Sequence, residues 1–174
     1  MTNRRLGATD LEITPLVFGG NVFGWTADRA TSFALLDAFV DAGGTMIDTA
    51  DVYSAWVPGH KGGESESVIG EWLRAGGKRD KVLIATKVGM LPGEGGEKLA
   101  PARIAAACEA SLKRLGTDRI DLYFAHQDDE ATPQEAALEA FGKLVDGGEV
   151  RVLGASNFHA ARLKSANEAA EAAG

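Results

Sequence analysis

Cysteine occurs once, at Cys108. A lone thiol excludes an internal disulfide framework and a multi-cysteine zinc site, and no metal site is expected. The sequence lacks any run of roughly 18 apolar residues, so nothing in it is built to span a bilayer. The opening Met1-Thr-Asn-Arg-Arg-Leu6 has no apolar signal core, and a soluble cytoplasmic protein with no membrane partner is expected. Clusters of basic residues are missing too. With 18 Lys+Arg against 25 Asp+Glu, the net charge is −7, whereas a nucleic-acid binder normally shows a basic face. The glycine fingerprint of dinucleotide-binding folds does not follow the first apolar run, and no Walker-type phosphate loop occurs. Gly76-Gly77-Lys78-Arg79 has the lysine but neither the spacing nor the following Ser or Thr. What remains is a globular composition. The 174 residues are 45% hydrophobic and 25% charged, which suits one domain with a sizeable core and argues against disorder.

The pattern is a short hairpin followed by alternating strands and helices. Apolar residues flank a Gly-Ala-Thr-Asp turn between Arg5 and Ile13, which predicts the hairpin. Leu16-Val-Phe-Gly-Gly20 is a first short strand. Phe33, Leu36, Phe39 and Val40 recur at helical spacing before Gly43-Gly44. The unit then repeats. Strands are predicted at Thr45–Asp48, Lys81–Lys87, Ile120–His126 and Glu149–Ala155. Helices are marked by Val68, Ile69, Trp72 and Leu73, then by Ile104, Cys108, Leu112 and Leu115, then by Leu138, Phe141, Leu144 and Val145. Pro101 suits a first helical turn and Gly116 an end. Thr132-Pro-Gln-Glu135 reads as a capping box with proline at the first helical position. Residues 159–173 read as a last, Ala-rich helix. Such alternation means a parallel sheet covered by helices, either an open doubly wound sheet or part of an eight-fold barrel.

The strands share a positional habit. They end at Gly19-Gly20-Asn21, Asp48, Lys87, His126 and Ser156-Asn157. In a parallel barrel all such ends lie on one face, where active sites are built. Tyr53 follows Asp48 closely enough to turn back over that face. A phenol alone, with a pKa of about 10, exchanges its proton poorly near neutrality, and a neighbouring ammonium favours the phenolate. Lys87 fits that task, with Asp48 holding the lysine charged and oriented. His126 suits hydrogen-bond donation to a carbonyl oxygen on which charge develops. The set fits proton donation to a carbonyl under hydride attack. Taken singly, each residue has an ordinary reading: Asp48 a turn cap, Lys87 a surface charge, His126 a structural histidine, Tyr53 a packed aromatic. Phe23, Trp25 and Trp56, in loops beyond strand ends, are candidates for an apolar substrate wall. Asp128-Asp129-Glu130 reads as a solvated acidic loop, and Gly93-Glu-Gly-Gly96 as loop punctuation. Cys108 reads as an inert core residue.

Five segments between Met46 and Phe158 carry these groups in order. They are Met46-Ile-Asp-Thr-Ala-Asp-Val-Tyr53, Gly63-Glu-Ser-Glu-Ser-Val-Ile-Gly70, Ala85-Thr-Lys-Val88, Arg114-Leu-Gly-Thr-Asp-Arg-Ile-Asp-Leu-Tyr123 followed by His126, and Val152-Leu-Gly-Ala-Ser-Asn-Phe158. Jointly they resemble the aldo-keto reductases, barrel enzymes that reduce aldehydes and ketones with NADPH. The resemblance implies that Tyr53 is the general acid, Lys87 and Asp48 its tuning pair, and His126 the carbonyl-orienting donor. It implies that Ser156 and Asn157 hold the nicotinamide carboxamide, with Gly20, Asn21 and Asp48 also bordering the cofactor. Three positions depart from the family pattern: Val17 replaces a frequent glycine, Asn21 is an uncommon choice, and Ser54 follows Tyr53 where glycine is frequent.

A full (β/α)8 TIM barrel takes about 250 residues, and this chain supplies about five of the eight units after its hairpin. The whole chain, 1–174, is expected to be one incomplete barrel domain. Its open edges then call for a remaining barrel segment or a second copy in a homo-oligomer. A non-enzymatic regulatory or binding subunit on the same scaffold, or an inactive fragment, are the alternatives to a reductase.

Overall fold

The computed structural model describes residues 2–173. The hairpin pairs β1 (Arg4–Arg5) with β2 (Glu12–Ile13) antiparallel. Five parallel strands follow: β3 (Phe18–Gly19), β4 (Met46–Asp48), β5 (Leu83–Val88), β6 (Ile120–Ala125) and β7 (Val150–Ala155). Helices alternate with them: α1 (Arg29–Asp41), α2 (Glu64–Gly76), α3 (Pro101–Leu115), α4 (Gln134–Asp146) and α5 (Ala160–Ala173). The sheet order is β3-β4-β5-β6-β7, strictly sequential. A doubly wound sheet reverses order at a switch point; this one never does. The fold is therefore α/β, a five-unit part of a TIM barrel, with β3 and β7 as the edges of the described sheet.

Strand periodicity divides the apolar residues into two layers. Ile47, Ile84, Tyr123 and Val88 face the helices, packing with Ile69, Trp72, Ile104, Cys108 and Phe141. Met46, Ala85 and Leu122 face the other side, with Leu83, Phe124 and Val152 beside them. The hairpin closes the lower end of that inner face, where Leu6 and Ile13 pack on the same cluster. Thr14 ties it down, its amide donating to Thr45 Oγ1 at 2.9 Å. Since side chains alternate along a strand, Asp48, Lys87 and His126 share the inner face with Met46, Ala85 and Leu122.

Two local expectations are corrected. Thr132 does not form a capping box: its hydroxyl donates to Asp129 Oδ2 at 2.7 Å, and α4 starts after Pro133 without a side-chain cap. The acidic loop is not simply solvated. Asp128 accepts two bonds from Arg162 of α5 at 2.8 and 2.9 Å. Asp129 is buried and also accepts from the backbone amides of Leu99 and Ala131. Both aspartates organise the approach to α4 and the seat of α5. Asp28, which carried no expectation, caps α1 by accepting from the Thr31 amide at 2.8 Å.

Helices α2 and α3 meet at Gly70, where an added Cβ would collide with the Arg114 carbonyl and the Leu115 backbone. Glycine inside a helix is ordinarily inferior to alanine, but here the close approach reverses the sign. Gly70→Ala is expected to lower stability by about 1–3 kcal/mol through overpacking, measured as a lower urea midpoint at unchanged m-value.

Candidate active site

Lys87, near the end of β5, is 7% exposed and donates three hydrogen bonds. They go to Asp48 Oδ2 at 2.7 Å, to the Thr49 carbonyl at 2.7 Å and to Tyr53 Oη at 2.9 Å. An ammonium has three donors, and here all are matched. Tyr53 Oη lies 3.4 Å from Asp48 Oδ2 and donates to it. The structure thus brings Asp48, Lys87 and Tyr53 into direct mutual contact.

Tyr53 returns over the face because the chain after β4 turns tightly, the Tyr53 amide donating to the Ala50 carbonyl at 3.2 Å. The next residue, Ser54, is left-handed at φ 71°, a conformation that favours glycine. Its buried hydroxyl donates to the Phe23 carbonyl at 2.9 Å, which anchors the strained residue. The departure from glycine at this position thus has a compensating bond.

His126 extends the β5–β6 pairing, its amide donating to the Val88 carbonyl at 2.8 Å. The ring is buried and stands edge-on to that of Tyr53, with centroids 6.0 Å apart. Burial, and secondarily the Lys87 ammonium, lower its pKa to about 4. The imidazole is neutral at neutral pH, and its Nδ1 has no hydrogen-bond partner among the described residues. A buried ring nitrogen left unmatched calls for an explanation, and a catalytic role is one.

Asn157, just past β7, is left-handed at φ 57°. Its amide nitrogen donates to the His126 carbonyl at 2.7 Å and to Ser156 Oγ at 3.1 Å. The Asn157 oxygen and the Ser156 hydroxyl proton are left as one acceptor and one donor beside His126, the complement of a primary carboxamide. Gly20 is buried, with its amide donating to the Asp48 carbonyl at 2.8 Å and its carbonyl accepting from Ser65 at 2.7 Å. It serves the site by shape, since both of its polar groups are engaged. Asn21 beside it is exposed.

The aromatic candidates separate. Trp25 and Trp56 are each 49% exposed and meet edge to face at 5.7 Å, and Trp56 lies 6.2 Å from the Tyr53 ring. Phe23 instead is fully buried and stacked on Phe18 at 5.6 Å. It belongs to the core and not to a wall around the opening, because its ring is packed without exposed surface in the helix-side apolar cluster.

Sequence reasoning passed over Thr49 and Ser65. The Thr49 and Ser65 hydroxyls bond at 2.8 Å, and Ser65 continues to Gly20. This buried chain holds the carbonyl that Lys87 needs. Ser65 lies in the Gly63–Gly70 motif, but only as a helix opening; a serine beside a glutamate there carries no signal for a contact to β3. Among the described residues, no three His, Cys, Asp or Glu side chains gather for a metal ion, and no helix is long and apolar enough to cross a membrane.

A partial parallel barrel with a buried lysine at its strand ends narrows the class, and comparison with known proteins narrows it further. Residues 15–173 match the aldo/keto reductase family. The chain belongs to that family. It is 61% identical over 90 residues to an uncharacterised 11.2 kDa protein from the crtE 3' region of Pseudescherichia vulneris, covering 51% of this chain and 87% of that protein. It is 39% identical over 173 residues to the uncharacterised oxidoreductase YrpG of Bacillus subtilis, covering 95% of this chain but 52% of YrpG. It is also 39% identical over 142 residues to the aldo-keto reductase YhdN of the same organism, covering 80% of this chain and 40% of YhdN. The chain thus spans about half the length of these two larger relatives.

The His126 pKa carries a consequence for stability. A base whose folded pKa lies below its unfolded value of about 6.5 binds fewer protons when folded. Its burial therefore stabilises the fold fully only above about pH 6.5, and stability falls as pH drops from there toward 4. Since burial raises the Asp51 carboxyl to about 7, with the opposite slope, the contribution of His126 is read as a difference. The melting temperature of wild type relative to His126→Gln is expected to be constant from pH 7 to 8 and to fall as pH drops from about 6.5 toward 4. Calorimetry across that range is the check.

Proposed function

We propose that this chain carries the proton-transfer machinery of an NADPH-dependent reductase acting on aldehydes or ketones, reversible to alcohol oxidation. The observation that supports it best is the Lys87 ammonium bonded at once to the Tyr53 phenol and the Asp48 carboxylate. Asn157 and Ser156 would hold the carboxamide of a reduced nicotinamide, which would supply the hydride for the substrate carbonyl carbon. Tyr53 gives its Oη proton to the carbonyl oxygen as negative charge develops there. The phenolate left behind is matched by the Lys87 ammonium, which Asp48 and the Thr49 carbonyl hold in place, and a proton from solvent restores the phenol. His126, neutral at working pH, donates its N–H to the same oxygen and orients it. Preorganised donors of this kind act on charge formed in the transition state.

The cofactor fit rests on the donor set: an acceptor on Asn157 and a donor on Ser156 suit a carboxamide. Trp25 and Trp56 give the approach an apolar, aromatic side, which favours carbonyls with an apolar body. Closure of the barrel around this site, by further chain joined at the β7 edge or by a second copy, belongs to the same proposal.

Turnover of an aromatic aldehyde by a form in which the barrel is closed, followed by loss of NADPH absorbance, tests the reading. Tyr53→Phe is expected to cost about 10²–10⁴ in rate, the usual worth of a positioned acid, with NADPH affinity by fluorescence titration nearly unchanged. Lys87→Met should lose rate comparably. Unaltered turnover in Tyr53→Phe would remove the phenol from the mechanism.

A further inference from the structure

Arg103 lies in the first turn of α3 and is 6% exposed, although no sequence motif singles it out. Its guanidinium reaches three acceptors on two different loops of the strand-end face. Nε donates to the Leu91 carbonyl at 3.0 Å, Nη1 to the Glu94 carbonyl at 3.3 Å and Nη2 to Asp51 Oδ2 at 3.3 Å. The loop between β5 and α3 is shaped to it. Gly93 and Gly96 exchange backbone hydrogen bonds at 3.0 Å, and a Cβ at Gly93 would stand 2.7 Å from Nη1. The glycine run that reads as loop punctuation therefore forms a tight turn laid flat against the guanidinium.

Asp51 is the other half of the contact. It is fully buried, and its second carboxylate oxygen has no partner among the described residues. Its amide donates to the Lys87 carbonyl at 3.2 Å. Gly62 packs against the Asp51 carbonyl, where a Cβ would come within 2.7 Å. Tyr53 follows only two residues later. Asp51 is thus the point at which the Tyr53 turn is fixed to β5 on one side and to Arg103 on the other.

We infer that Arg103 is a positioning residue for Tyr53, clamping the turn after β4 and the loop after β5 into one rigid rim through Asp51 and the Leu91 and Glu94 carbonyls. Arginine suits this because its planar fork serves several acceptors at fixed angles, which an ammonium does not. Releasing the clamp lets the Tyr53 turn drift while the Lys87–Asp48 pair, held by the strands, stays. A displacement of the reacting group by as little as 1 Å can cost about 10²-fold in rate.

The consequence for turnover rests on the reductase reading, but the clamp itself has a readout that needs no turnover. The chain has two tyrosines and three tryptophans, so spectra of the full chain with isotope-labelled Tyr and Trp are simple, and Tyr53→Phe assigns the Tyr53 signal. Trp72, whose indole bonds to Asp37 at 2.8 Å on the far side of α2, reports the global fold. In Arg103→Met and in Asp51→Ala the Tyr53 resonance is expected to shift or broaden while the Trp72 indole peak stays. Asp51→Asn, which keeps an acceptor for Nη2, retains the wild-type Tyr53 resonance. With an aromatic aldehyde and NADPH, Arg103→Met should lower kcat by up to about 10²-fold with KM little changed. A Tyr53 signal that does not move in either folded variant overturns the clamp, whatever the activity. Should Arg103→Met fail to fold, Asp51→Ala against Asp51→Asn decides. A clamp seen by spectroscopy, with no turnover once the barrel is closed, would leave the inference standing and refute the reductase reading instead.

Discussion

The ammonium of Lys87 is the constraint around which the rest of the site is arranged. Removing a charged group from water costs several kcal/mol even after relaxation, so a lysine 7% exposed demands matching acceptors. Three are supplied, by Asp48 from β4, by the Thr49 carbonyl just after it, and by Tyr53 from the following turn. Each requirement propagates. The Thr49 carbonyl must be held, which the Thr49–Ser65–Gly20 chain does by tying the residues just past β4 and β3 to α2. The Tyr53 turn must bend back, which forces Ser54 into a left-handed conformation that its bond to Phe23 sustains. A large part of the upper rim thus follows from satisfying one cation.

The same physics recurs away from the site. Asp121 is 1% exposed at the lower end of β6 and accepts from Arg79, from Arg151 and from the Ile84 amide. Glu66 is fully buried and accepts from Thr86 and Arg114 at 2.6 Å each. These ion pairs join strands to their neighbouring loops and helices at fixed points. Removing one partner from a buried pair is strongly destabilising because the other is left uncompensated. Cys108, in the same outer layer, is the opposite case. Burial pushes its thiol up to about 12, and it behaves as a small apolar residue.

Much of this was legible in the sequence, and for a definite reason. Helical and strand periods are local, so the alternation and the placement of Asp48, Lys87 and His126 at strand ends could be read from spacing alone. The sequential sheet order could not, since an open doubly wound sheet has the same local pattern; register and order are properties of pairing. Contacts across loops were equally hidden. Phe23 looked like a wall residue because it lies in a loop beyond a strand, but loop residues point either way, and its ring stacks on Phe18 within the core. Thr132 looked like a helix cap because the local four-residue pattern fits. Asp129, buried by the packing of Leu99 and the start of α4, competes for its hydroxyl and prevails.

Register carries the final step from fold to chemistry. Asp48 pairs with Ala85, whereas Lys87 pairs with Phe124. The lysine therefore leaves β5 two residues above the aspartate, about 6.6 Å at the rise of a parallel strand. Only a long, flexible side chain spans that step back to Asp48 while reaching Tyr53 above. The flexible four-carbon stem of lysine meets this need, and its compact charge fits a pocket of three oxygens where a planar guanidinium would not. A slip of one residue would turn Lys87 to the helix side and bring Thr86 inward. That slip is opposed by Thr86 itself, whose hydroxyl donates to buried Glu66, and by the apolar layer of Ile84 and Val88 on the same face. The outer core, which touches no reacting atom, is therefore what keeps the lysine aimed inward.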